Sequence, residues 1–154
     1  MVSIDEYIGL VGTSLGHSAW MTIGQDRIDA FAGVTEDHQF IHVDVELAAS
    51  ESPFGGTIAH GFLTLSLLSH LSSQVFPSIR GKAMTFNYGM NKVRFLNPVK
   101  SGARVRVSIA LKSAVEKQPG RFLCEFDSVV EIEGEDTPAL VAEQVLMHVM
   151  QDAN

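Results

Sequence analysis

Between His60 and Val75 the chain reads HGFLTLSLLSHLSSQV, a run at helical length whose only polar side chains are small hydroxyls, an internal histidine and a glutamine near its end. A helix of this composition has no polar side to turn to water and is expected to be surrounded by protein. Beyond Pro77 the pattern changes to strands, predicted over Lys82 to Tyr88, Lys92 to Leu96, Ala103 to Glu116, Arg121 to Glu133 and Leu140 to Met150. In Arg104-Val105-Arg106-Val107-Ser108-Ile109 the period is two, and Pro119-Gly120 and Gly134-Glu135-Asp136 mark turns. Consecutive strands joined by short turns make an antiparallel sheet. One buried helix against such a sheet is an α+β architecture, with the sheet curling around the helix.

Ahead of that unit the elements are shorter. Asp5 to Leu10 is a weak helical segment, His17 to Ile23 reads as a strand, and Gln25 to Ala32 reads as a helix closed by Gly33. Val34 to His42 follows neither period and reads as an ordered loop. Asp44 can cap a short helix from Val45 to about Ser50, which Ser52-Pro53-Phe54-Gly55-Gly56 then breaks.

With 154 residues, 45% of them hydrophobic and 19% charged, the chain suits one soluble domain over 1–154. Its single cysteine, Cys124, excludes an internal disulfide framework and a cysteine-rich zinc site, and a reducing, cytoplasmic setting is expected. Nowhere do about 18 uncharged apolar residues run together, and MVSIDEYIGL lacks the basic start of an export signal, so neither membrane spanning nor secretion is expected. The net charge of −7 argues against a general nucleic-acid binder. It is unevenly spread: Arg80 to Arg121 carries ten basic residues against Glu116 alone, a local +9, leaving −16 elsewhere. Such a block could steer a polyanionic small molecule to one face, or could be no more than solvated strand surfaces.

Two places could carry chemistry. Asp37-His38-Gln39-Phe40-Ile41-His42 gathers a carboxylate and two imidazoles just after a helix stop. A metal site would want further ligands, and neither HExxH nor a cysteine pair is present, so none is expected. A capping aspartate with a satisfied loop histidine is a structural alternative. Acid/base work is the third reading, if the loop folds back so that carboxylate and imidazole meet. The second place is Ala59-His60-Gly61 at the helix entry, where unpaired backbone N–H groups could stabilise a developing oxyanion and a glycine permits close approach. Gly61 could equally serve a tight junction.

Asp37-x4-His42, followed by Ala59-His60-Gly61 and the long apolar helix, resembles the MaoC-like, or R-specific enoyl-CoA hydratase, family of hot-dog proteins, over most of the chain. EDHQFIHVD and NYGMNKVRFLNPV are most similar to the nodulation-protein-N-like branch. The resemblance implies a curved antiparallel sheet around one central helix and a homodimer, with an acyl-CoA in a tunnel near the subunit interface. It makes the basic block a candidate surface for the phosphates of CoA. It also implies syn addition of water to a trans-2-enoyl-CoA, giving an R-3-hydroxyacyl-CoA, with neither metal nor redox cofactor. Carried onto this sequence, the catalytic dyad falls on Asp37 and His42, and the thioester carbonyl on the Gly61 N–H. His60 falls beside them as a substrate-binding or supporting residue, and Ser69 on the helix would support the loop.

One departure stands out. Many family members place Asn-Pro between the aspartate and the histidine, whereas this chain has His38, Gln39, Phe40 and Ile41, so its loop must be held by side chains. A hot-dog thioesterase and a non-catalytic acyl-CoA module remain competing readings.

Overall fold

A computed structural model describes residues 1–151. The chain opens with α1 (Ile4–Ile8), started by a reciprocal cap: Ser3 Oγ accepts from Glu6 N, and Ser3 N donates to the Glu6 carboxylate. Where the sequence suggested one strand over His17 to Ile23, the chain forms two, β1 (Ser14–His17) and β2 (Met21–Thr22). Next come α2 (Gln25–Thr35), α3 (Phe40–Val43) and α4 (Val45–Glu51), then α5 (Gly61–Ser66) and α6 (Leu68–Ser73). Four long strands complete the fold: β3 (Lys82–Phe95), β4 (Arg104–Gln118), β5 (Arg121–Ile132) and β6 (Leu140–Met150).

All pairings between these strands are antiparallel, in the order β1-β4-β5-β6-β3, with β2 also on β4. Period-two alternation does the work. Val105, Val107, Ile109 and Leu111 of β4, with Phe122, Cys124, Phe126 and Val130 of β5, are buried against Leu63, Leu67, Leu68 and Leu71 of the central helix. Cys124 is thus a core residue, its thiol pushed by burial up to about 12.

Five details differ from the sequence reading. The helix expected over His60 to Val75 is two abutting segments, with Leu67 still right-handed at their junction. It is not enclosed on all sides. Leu63, Thr64, Leu68, Leu71 and Ser72 are buried, whereas Phe62, Ser66, Ser69, His70 and Ser73 are exposed. The two strands expected over 82–96 are one, β3, which keeps its pairing with β6 by shifting register between Lys82 and Met84, Asn87 and Gly89, and Met90 and Lys92. Gly33 does not stop α2, which runs to Thr35 and ends where Glu36 turns left-handed at φ 61°. The basic block, finally, is partly neutralised. Arg104, Arg106 and Lys112 of β4 pair with Glu133, Glu131 and Glu143 at 2.8, 2.7 and 3.1 Å.

Candidate active site

Each site residue is set by the end of an element. Glu36 is the one non-glycine residue with positive φ among the described residues, and it turns the chain so that Asp37 leaves α2 sideways. A single turn, α3, then carries His42 inward to 7% exposure. The following segment lies beside it: Ile58 N donates to Ile41 O at 2.9 Å, and Ala59 N to Val99 O at 2.7 Å. α5 starts at Gly61, whose N–H is among the first-turn donors that a helix leaves without an internal acceptor.

The sequence separates Asp37, His42 and His60, and the fold joins them. Carboxylate and ring donor atoms of the three lie within 4.8 Å of one another. His42 Nδ1 is 2.7 Å from the Ile58 carbonyl oxygen. A carbonyl can only accept, so Nδ1 carries a proton, and in the neutral ring Nε2 holds the lone pair. His60, 3% exposed, stands 2.9 Å through Nε2 from the Asp37 carbonyl oxygen, by the same logic as a donor, and 4.0 Å from its carboxylate. Its Nδ1 is buried with no partner among the described residues. The rings of His42 and His60 stack at 3.8 Å between centroids, 25° from parallel. Lone pairs lie in the ring planes, so stacked rings set them side by side rather than converging on one point. That arrangement suits proton handling better than metal coordination.

The loop lacking Asn-Pro is indeed held by side chains. Gln25, at the start of α2, donates through Nε2 to His42 O at 2.7 Å and accepts from Thr57 Oγ1 at 2.6 Å. Asp37 Oδ1 accepts from Gln39 N at 3.5 Å, and the Asp37 side chain is 55% exposed. Gln25 and Thr57 were missed at the level of sequence, where a helix-leading glutamine and a lone threonine carry no signal.

His42 and Gly61 border a pocket of about 260 Å³, with Thr64, Phe95, Asn97 and Pro98 on its other sides. NYGMNKVRFLNPV therefore supplies a wall of the site. Gly61 is glycine for a reason the sequence did not show: a Cβ there would sit 3.0 Å from the Phe95 ring. Phe62 meets that ring edge-on at 6.0 Å. Ser69 lies elsewhere. Its hydroxyl accepts from Asn87 Nδ2 at 3.2 Å, and no hydrogen bond joins it to the Asp37–His42 loop among the described residues. Ser66, by contrast, satisfies its own hydroxyl on Leu63 O at 2.8 Å.

Residues 8–130 match the family model described as "MaoC like domain". The chain belongs to the MaoC-like dehydratase family. Among its relatives, nodulation protein N of Rhizobium leguminosarum bv. viciae is 49% identical over 141 residues, covering 92% of this chain and 88% of that protein. The 3-hydroxyacyl-thioester dehydratase Z of Mycobacterium tuberculosis H37Rv is 43% identical over 147 residues, 96% of each. The (R)-hydratase from A. caviae involved in PHA biosynthesis superposes with a TM-score of 0.72 at 26% identity, covering 88% of this chain and 94% of that one. The MaoC-like chain thus has the hot-dog fold that its sequence resembles. No helix among the described residues is long and apolar enough to cross a membrane.

Proposed function

We propose that this MaoC-like protein is an R-specific enoyl-CoA hydratase, adding water reversibly to a trans-2-enoyl-CoA to give an R-3-hydroxyacyl-CoA. The observation that carries this is His42: a buried imidazole with its Nδ1 proton held by Ile58 O and its other nitrogen left as a base beside Asp37. Water would sit between His42 Nε2 and the Asp37 carboxylate, which orients it. As its oxygen bonds to C3, His42 takes its proton, the C2–C3 electron pair moves toward the thioester carbonyl, and the Gly61 N–H receives the growing negative charge. The dyad then returns that proton to C2 on the same face, which makes the addition syn. Dehydration runs the same steps backwards. No step calls for a metal or redox cofactor.

The same reading places a second copy of the chain on β3. This edge strand is exposed over nearly all its length and shows Met84, Phe86, Tyr88 and Met90 outward, beside the open helix face carrying Phe62. Long apolar edges invite pairing, and a closed dimer removes the liability. Seven of the ten basic residues of the block, all but Arg104, Arg106 and Lys112, make no ion pair among the described residues, and the candidates for CoA phosphates lie among them. A cytoplasmic setting, as the single reduced cysteine suggests, is part of the same proposal.

The test is crotonyl-CoA followed in two channels, loss of the conjugated enoyl-thioester absorbance and release of free thiol. Absorbance loss without thiol, with an R-3-hydroxy product, is the expected result. Thiol release would make the protein a thioesterase instead, and silence in both channels with short and long enoyl chains would leave a binding module.

A further inference from the structure

A second cavity, larger than the one beside Gly61, lies toward the far end of the helix that begins there. It measures about 530 Å³ and is bordered by Ser72, Lys82, Thr85 and Gln144, with Phe76 and Leu146 as apolar walls and Ser69 among its lining residues. No carboxylate lines it.

Its floor is polar where the alternation of β6 would put another core aliphatic. Gln144 stands between Ala142 and Leu146 on the inward face and is 2% exposed. Ser72 and Ser128, both 1% exposed, donate to its Oε1 at 3.2 and 3.0 Å. Its Nε2 has no hydrogen bond among the described residues, and turning the amide over would only leave the oxygen unmatched instead. One end of a buried carboxamide is thus left to face the cavity, open to a hydrogen-bond partner there. Lys82 adds an ammonium with no ion-pair partner among the described residues. Burial, first, holds its pKa below the usual lysine value.

Gly61 and Ser69 are eight residues apart, about 12 Å along the axis at 1.5 Å per residue. The face between them shows Phe62 and Ser66 exposed beside the half-buried Leu65. An acyl chain held by its carbonyl at Gly61 and laid along that face reaches the cavity after roughly eight to ten bonds. From this we infer that the cavity receives the distal end of the acyl tail, and that the tail carries an oxygen function there, a hydroxyl or a carboxylate, bound by Gln144 and Lys82. The inference rests on the hydratase reading and specifies its substrate class. A purely aliphatic tail would leave both groups desolvated and unpaired, which is how polar sites reject analogues that lack the matching group.

The experiment compares kcat/KM for three trans-2-enoyl-CoAs of one length, about ten carbons, ending in methyl, hydroxyl or carboxylate, with crotonyl-CoA alongside. At least one oxygen-bearing tail is expected to exceed the methyl tail tenfold or more. A carboxylate preference should fall toward one in Lys82→Met, a change at a half-buried position, and a hydroxyl preference should fall toward one in Gln144→Leu. A variant that merely weakened the fold would slow all tails together, leave the ratio unmoved and so count against the assignment. Equal use of all three tails overturns the oxygenated tail and leaves the reaction standing. No hydration of any tail, crotonyl-CoA included, overturns the reaction and the tail assignment with it.

Discussion

The rings of His42 and His60 stack at 3.8 Å, yet of the two only His42 borders the pocket, and its Nε2 makes no hydrogen bond among the described residues. His60 lies beneath it, and the one hydrogen bond of its ring among the described residues goes to the backbone of Asp37. One imidazole is thereby the candidate base, and the other holds both members of the dyad in place.

His60→Phe keeps a ring under His42 and removes the bond to Asp37 O. We expect kcat for enoyl-CoA hydration to fall about 10- to 100-fold, the effect of one lost positioning bond, with KM little changed. Steady-state kinetics of His60→Phe beside His60→Gln checks this. Recovery in the glutamine variant, which retains a donor, is the mark of positioning.

Much of this was legible before any coordinates. Period-two alternation from Arg104 to Ile109 and the helix of apolar residues and small hydroxyls point to a sheet packed on one helix, and both are present. Where the reading failed, nonlocal contacts decide. Gly33 is the exception, a local stop signal that the chain passes over, since α2 continues to Thr35 and the left-handed turn falls on Glu36. The +9 block looked one-sided because the carboxylates that answer Arg104, Arg106 and Lys112 come from strands later in the chain. Gln25, Thr57 and Phe95 act on the site across 17 to 34 residues of sequence, through contacts no local pattern encodes.

His148 should make stability depend on pH. It is 1% exposed, with the Tyr7 hydroxyl 3.2 Å from Nε2 and the Thr85 hydroxyl 2.7 Å from Nδ1. Burial, then the nearby Lys82 charge, lowers its pKa from 6.5 to about 4. The unfolded chain therefore binds a proton in a range where the native chain does not. The contribution is complete above about pH 6.5 and is lost as pH falls toward about 4, by roughly 2–3 kcal/mol. Denaturant unfolding of the protein and of His148→Gln at pH 7.5, 5.5 and 4 isolates it from the carboxylates. The difference between the two should shrink with acid; a constant difference would show that His148 does not titrate there.

Gly61→Ala places a methyl group 3.0 Å from the Phe95 ring. We expect a loss of about 1–3 kcal/mol from overpacking. Because the clash is with one side chain, Gly61→Ala with Phe95→Ala should cost less than the sum of the two single changes. Thermal or denaturant melts of the four proteins measure that coupling, and strict additivity would place the strain elsewhere.

Tyr88 is 63% exposed on the outward face of the edge strand. Tyr88→Glu puts like charges across a dimer formed on β3 and should shift sedimentation at micromolar concentration from dimer toward monomer. A parent protein already monomeric there, or a variant that stays dimeric, would remove β3 as the interface.

The most direct test of the central claim is the rate of enoyl-thioester hydration in Asp37→Asn and His42→Gln beside the parent, with circular dichroism to show that each is folded. Both changes keep the size of the side chain close to the original while removing the carboxylate or the basic nitrogen. The expected result is a fall of at least a thousandfold in each, with the double variant scarcely worse than the singles, as befits two groups acting on one water. A loss of less than tenfold in both folded variants would contradict the assignment of Asp37 and His42 as the catalytic pair.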